Sequence, residues 1–297
     1  MYLPINPEFP VGNAAGWCKS VTQAQHLLEG TASFIVMGSF TLKQRDGNPG
    51  NTSNGDDRYM LNSLGLPNPG IEALLQSEDL TGLFQRAEEQ DVPIILSVAG
   101  FNPAEYHTLV RQAVDTGFPG VEINLGCPNV VEGSERKPIA SFDPPLVRQI
   151  LFGVAKLMQR HFISVKVSPM TNPLDILDLA KVLGEFPHLG AVVTQNTYPN
   201  CLLLNEDGTP QIQTPDQTGW AGGSGSSIFS QALGQVSQWH RALPDVPIWG
   251  VGGVSSGRQV RDMLRAGGRA VQIGTAWFNT GGSNRFFGPL ASEFANL

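Results

Sequence analysis

What this sequence lacks narrows its function first. No apolar run approaches the roughly 18 residues needed to cross a bilayer, and no positive charge precedes Lys19. Neither a membrane partner nor a signal peptide is expected, which leaves a cytoplasmic protein as the expectation. Only 15% of residues are charged, where an average globular chain carries roughly 25%. The 19 Lys and Arg are outnumbered by 26 Asp and Glu, for a net charge of −7. That balance argues against a broad phosphate-neutralising surface, so nucleic acid is not an expected partner. The three cysteines, Cys18, Cys127 and Cys201, form no Cys-x-x-Cys pair, which suits neither a disulfide framework nor a zinc site. The five histidines show no ligand spacing and no metal is expected; Ser-His-Asp order and Walker loops are missing too. Small-molecule chemistry remains.

What is present is punctuation and period. The chain holds 34 Gly and 22 Pro among its 297 residues. Short β-rich runs end near Asn13, Gly38, Ser97, Asn124, Val167, Asn196, Gly252 and Gly274. Between them, segments such as 104–116, 145–160, 174–186 and 256–266 carry apolar residues at helical spacing. Eight strands alternating with helices predict a (β/α)8 TIM barrel, an α/β fold, over one domain of residues 1–297. Two stretches, 41–69 and 197–227, exceed ordinary loop length and follow strand C-terminal ends, the face where barrel active sites are built.

Several residues there carry chemistry. The run from Pro247 to Gly257 is a strand entering Gly252 and Gly253, then a helix start after Ser255 or Ser256 whose N–H groups suit an anion. The following strand ends in Gly274 and Thr275. After strands seven and eight of a barrel, this tandem predicts a phosphate site. Lys166 sits in an apolar strand, and lysine is almost never buried without a partner. Facing the barrel mouth it would neutralise negative charge, such as that of a reduced flavin; otherwise it snorkels outward. Asn124, Cys127 and Asn129 cluster at another strand end, with Asn62 and Asn196 at two further loop starts. Their amides suit a ring with imide edges, and the thiol can accept a proton, although a lone cysteine is more often inert core. Asn68 reads as a turn residue, Asp56-Asp57 as a solvated loop pair, and the five tryptophans as packing or cofactor walls.

At these residues the sequence resembles the dihydroorotate dehydrogenase family, and most of all its cytosolic single-subunit branch (class 1A-like). Asn13-Ala-Ala-Gly16 is similar to the opening flavin turn, Ser39 to Pro49 to the loop after the second strand, and Asn62-Ser-Leu-Gly-Leu-Pro-Asn68 to the substrate loop. Ser97 to Gly100, Asn124 to Asn129, Lys137-Pro138, Lys166, Asn196-Thr197, Gly223-Ser-Gly225, Gly252-Gly253 and Gly274-Thr275 follow in the family's order. The resemblance implies flavin mononucleotide (FMN) as cofactor, held by Ala15, Gly16, Ser39, Asn124, Lys166, Gly225, Gly252, Gly253, Gly274 and Thr275. It implies that the substrate, dihydroorotate or a similar dihydropyrimidine or cyclic imide, meets Asn62, Leu64, Gly65, Leu66, Asn124, Asn129, Asn196 and Thr197. Cys127 would be the catalytic base and Lys166 the catalytic lysine beside the flavin's pyrimidine edge. A soluble oxidant such as fumarate would accept the electrons, and a homodimer is the expected assembly.

Three departures stand out. Met37-Gly38-Ser39 replaces the family's Thr-Lys-Ser, and Lys43, five residues on, is no evident substitute. Gly126 stands where the branch has Ser, and 130–136 is a longer run. Without the loop lysine, a carboxylate-bearing ring is expected to bind weakly and Gly38→Lys to restore it. Gly126 and Gly133 are expected to let the cysteine loop open, and the chain after the last helix to be shortened. The other readings are a relative acting on another cyclic imide or enone, a tRNA dihydrouridine synthase, a non-redox barrel such as an isomerase or aldolase taking a phosphorylated substrate, and a flavin-binding relative without dihydroorotate activity.

Overall fold

The computed structural model describes residues 3–132 and 135–297. Eight parallel strands form the central sheet: β1 (Val11–Asn13), β2 (Ile35–Phe40), β3 (Ile94–Val98), β4 (Gly120–Asn124), β5 (Phe162–Lys166), β6 (Ala191–Val193), β7 (Ile248–Val251) and β8 (Gly268–Ile273). They pair in the ring order β1-β8-β7-β6-β5-β4-β3-β2. The ring closes where Gly12 bridges Phe34 and where the Asn13 amide both accepts from Val36 N (2.9 Å) and donates to Val36 O (2.8 Å). A Cβ at Gly12 would run into Phe34, so the seam needs glycine there.

Alternation along each strand makes two cores. Val36, Ile95, Val193 and Val251 point inward with Phe34, Phe162 and Trp249, whose rings lie 4.8 to 5.4 Å apart and plug the barrel. Ile35, Met37, Ile94 and Leu96 point outward onto the helices. Burying strands on both sides explains why they read as continuous apolar runs. Helix starts are encoded as pairs: Asn102-Pro103, Asp143-Pro144 and Asn172-Pro173 each place a capping side chain before a proline that needs no N–H partner. The four helices expected from periodicity run Pro103–Thr116, Pro144–Met158, Pro173–Leu183 and Gly257–Arg265. Among the described residues no helix is long and apolar enough to cross a membrane.

The two long stretches are not plain loops. Tyr198–Cys201, Ala221–Ser224, Met60–Asn62 and Ser53–Gly55 pair in that order into an antiparallel cap sheet, with Gly222 opposite Asn62. Strands of three or four residues, more than half of them Gly, Asn or Ser, carry no period-2 signal, and the pairing of Met60–Asn62 with Ala221–Ser224 joins segments far apart in sequence. A two-stranded ribbon, Val131–Glu132 with Glu135–Arg136, follows the cysteine loop. Gly133 lies outside the described residues.

Candidate active site

Side chains at the strand ends meet across the barrel mouth. Asn196 Nδ2 donates to Asn124 Oδ1 (3.2 Å), Asn124 Nδ2 to Ser39 Oγ (2.9 Å), and Ser39 Oγ lies 2.9 Å from Ser97 Oγ. Asn129 Nδ2 donates to Asn62 O (2.7 Å), tying the cysteine loop to the cap sheet. Lys166, only 4% exposed, donates from Nζ to Gln272 Oε1 of β8 (3.0 Å). Burial pulls its ammonium below the ordinary lysine range, and Glu122 pulls it back up. The outward alternative for Lys166 is thereby removed.

Two lobes of one cleft lie above this network, enclosing about 730 and 600 Å³ with their open mouths and sharing Ala15, Trp17, Asn62, Lys166, Asn196 and Thr197 as a common wall. The first lobe is walled by the backbones of Gly225, Gly252, Gly253, Gly274 and Thr275. The second holds Gly16, Ser39, Leu64, Gly65, Leu66, Asn124, Cys127 and Asn129. Every residue expected from the sequence to hold cofactor or substrate thus lines one cavity. Asn68 stays structural, its Oδ1 accepting from Thr41 N (3.1 Å) and Gly70 N (2.9 Å). Asp56 closes a turn through Arg58 N and Tyr59 N, whereas Asp57 reaches the first lobe.

Cys127 is half-buried in the second lobe. Burial pushes its thiol up; the Asn129 backbone N–H and the cations Lys19, Arg45 and Lys137 pull in the other direction without cancelling the rise. The expected hinge at Gly126 is not what the structure holds. Gly126 is buried against the Val167–Ser168 backbone, where a Cβ would lie 2.5 Å from the Val167 carbonyl carbon. Its N–H bonds Asn124 Oδ1 (3.1 Å). Glycine there permits close packing rather than movement, which also explains the absent Ser.

Lys19 is the residue sequence reasoning missed. It follows β1, lines the second lobe with Cys127, and donates from Nζ to Pro67 O (2.6 Å). Burial draws its ammonium down to about 8, with Cys127 acting upward. A cation therefore faces this lobe although the loop lysine is missing, and Lys43 is exposed. Gly38 is part of the same construction: Gly16 N donates to Gly38 O (2.6 Å) and Gly38 N to Cys18 O (2.7 Å), docking the turn that carries Lys19. Gly38 has φ +119°, and a Cβ would collide with the Ser97 carbonyl oxygen. A lysine introduced there meets backbone, so the expected gain from Gly38→Lys is withdrawn. The available signal was a lone lysine three residues past Gly16 in a chain poor in charge.

The expected anion site also needs correction. Ser256 caps the helix Gly257–Arg265 by accepting from Gln259 N, but Gly257 N (2.8 Å) and Arg258 N (3.3 Å) already donate to the carboxylate of Glu293 from the last helix. The positive end of that helix is neutralised from within. The glycine backbones at 252–253 and 274 remain as the cradle; Gly252 (φ +116°) and Gly253 (φ +71°) adopt conformations that disfavour side chains.

The family model described as dihydroorotate dehydrogenase matches residues 5–285. Dihydroorotate dehydrogenase A (fumarate) of Lactococcus lactis subsp. lactis is 30% identical over 281 residues, 93% of this chain and 87% of that protein. Dihydroorotate dehydrogenase (fumarate) of Trypanosoma cruzi is 32% identical over 278 residues, 90% and 83% of the two chains. Among solved structures, a dihydroorotate dehydrogenase of Eimeria tenella in complex with ferulenol superposes with a TM-score of 0.79 at 17% identity, covering 99% of this chain and 85% of that one, a likeness of fold.

Proposed function

Because the chain belongs to the dihydroorotate dehydrogenase family, a family of flavin-dependent oxidoreductases acting on CH–CH bonds, we propose that it oxidises dihydroorotate with FMN as its cofactor and fumarate as electron acceptor. The observation that carries this reading is the charge of the second lobe: Lys19 and Lys166 line it, and among the described residues no carboxylate does. In a chain of net charge −7, that local excess suits an anionic ring.

The residues fit FMN. Gln195 is fully buried beneath the first lobe with neither amide atom partnered, and Thr197 Oγ1 is likewise without a protein partner. Unsatisfied groups of this kind are costly unless a ligand or water completes them. The backbones of Gly225, Gly252, Gly253, Gly274 and Thr275 would hold the phosphate, and Ala15, Gly16, Ser39, Asn124 and Lys166 the ring. A single compact cradle favours the mononucleotide over the dinucleotide. When bound, FMN supplies the hydride acceptor.

The protein's own part is proton transfer and positioning. Cys127 takes the proton from the ring carbon next to the one that loses hydride. The cations Lys19, Arg45 and Lys137 favour its thiolate. Asn62, Asn124, Asn129 and Asn196 offer donors and acceptors to the ring's imide edges, and Thr197 adds a hydroxyl. Leu64, Gly65 and Leu66 cover the ring, and Lys19 takes its carboxylate. We propose that the protein works as a homodimer in the cytoplasm.

The test is anaerobic bleaching of the purified yellow protein by dihydroorotate, with mass analysis of the released chromophore. FMN and rapid bleaching are expected, followed by reoxidation with fumarate. A colourless protein, the dinucleotide, or bleaching only by uncharged rings overturns the corresponding part.

A further inference from the structure

Among the described residues, Glu122 and Lys166 are the only charged side chains in the fully buried set. They project from neighbouring strands, β4 and β5, where Lys166 pairs with Asn124 and Glu122 with Ser164. They are joined by a third side chain reaching across the barrel from β8. Gln272 Oε1 accepts from Lys166 Nζ (3.0 Å), and Gln272 Nε2 donates to Glu122 Oε2 (2.6 Å). Ser97 Oγ donates to the other carboxylate oxygen (3.1 Å), and Ser39 joins Ser97 to Asn124.

An amide between a cation and an anion has one good orientation, oxygen to the ammonium and NH₂ to the carboxylate. Reversing it sets like charges together at both ends. Gln272 therefore fixes the place of the lysine head as well as linking the charges. A lone ammonium in this interior would shed its proton, and a lone carboxylate would take one up. Linked, the carboxylate supports the charged form of the lysine. Glu122 lines neither lobe, so substrate and cofactor contact does not account for a carboxylate kept at 0% exposure.

We propose that Glu122, acting through Gln272, is a positioning residue that keeps Lys166 charged and aimed into the cofactor lobe, and so sets how readily the bound flavin is reduced. The inference rests on the reading that a flavin ring lies over Lys166. A charge held in a dry site acts on a developing anion far more strongly than one in water. The relay would keep that charge from depending on solvent.

The experiment uses the full-length FMN-loaded enzyme and measures the midpoint potential of the flavin in Glu122→Gln, which keeps shape and removes charge. With Lys166 neutral, reduction should become roughly ten-fold less favourable, a fall of about 30 mV for a two-electron couple. The same substitution in a Lys166→Met background should cause no further fall. Should Glu122→Gln fail to fold, Gln272→Met breaks the relay at its middle and should lower the potential in the same direction. A potential that rises shows that the carboxylate only masks a lysine able to hold its own charge, and overturns the relay; an unchanged potential does the same. A wild-type protein that binds no flavin overturns the underlying reading and the relay with it, which separates the two failures.

Discussion

The two lobes of the cleft are built on opposite plans. The first is walled largely by backbone at β7 and β8, and Lys166, which the two lobes share, is balanced inside the barrel by Glu122 through Gln272. The second is walled by side chains from the turn after β1, the first long insertion and the loop after β4, and among the described residues no carboxylate lines it. A site with internally balanced charge suits a permanent occupant that need not bring a counter-ion. A site with excess positive charge suits a visitor that brings its own negative charge and leaves as a similar anion. On the proposed reading, the first lobe suits the fixed phosphate end of the cofactor, and the second, shared with the cofactor's ring, suits the anionic substrate.

The sharpest way to break that division is at Cys127. Cys127→Ala should slow turnover by roughly 10²–10⁴-fold, the range for a positioned acid–base group, while flavin content stays unchanged. Cys127→Ser should keep activity with a more alkaline optimum, since a hydroxyl yields its proton less readily. Loss of flavin in the Ala variant would show that the lobes are not separable.

Lys19→Met should raise KM for dihydroorotate by roughly 10–150-fold, the equivalent of a charge-assisted hydrogen bond of about 1.5–3 kcal/mol, with kcat little changed. Dihydrouracil, which lacks the carboxylate, is the control; equal losses for both rings would mean that Lys19 only packs. Gly38→Lys should destabilise the protein by about 1–3 kcal/mol through backbone strain, measured as a lowered midpoint in urea, and should not improve dihydroorotate turnover.

The smallest effect is in pH. Lys19 is drawn down to about 8 and binds an anion only when protonated, so KM for dihydroorotate should climb several-fold as pH rises through about 8. On the proposed reading Cys127 acts as a base only when deprotonated, and its thiol is pushed above the ordinary thiol range, so kcat should rise at higher pH than the KM limb. In Lys19→Met the KM limb should vanish and the kcat limb remain. Parallel movement of both parameters would assign the two limbs to one group.

The barrel was legible in the sequence because burial on both faces leaves unbroken apolar strands, and because the segments between them carry apolar residues at helical spacing. The glycine cradle was legible because positive φ demands a residue type. The cap sheet was not, since pairs such as Asn62 with Gly222 depend on topology rather than local pattern. Lys19 was hidden because nothing in a turn says which cavity a side chain enters. Glu293 was hidden because its partners lie thirty-odd residues upstream, at the start of another helix.

The cap sheet also orders events during synthesis. Its strands at 53–55 and 60–62 can pair with each other at once, but the free edge of Met60–Asn62 finds no second partner until residues 221–224 have emerged, by which time β1 to β6 are already made. Joining ends so far apart carries an entropic cost that a half-built wall reduces. On a growing chain, the roof of the cleft is therefore laid over a barrel three-quarters complete, before the strands that supply the glycine cradle have left the ribosome.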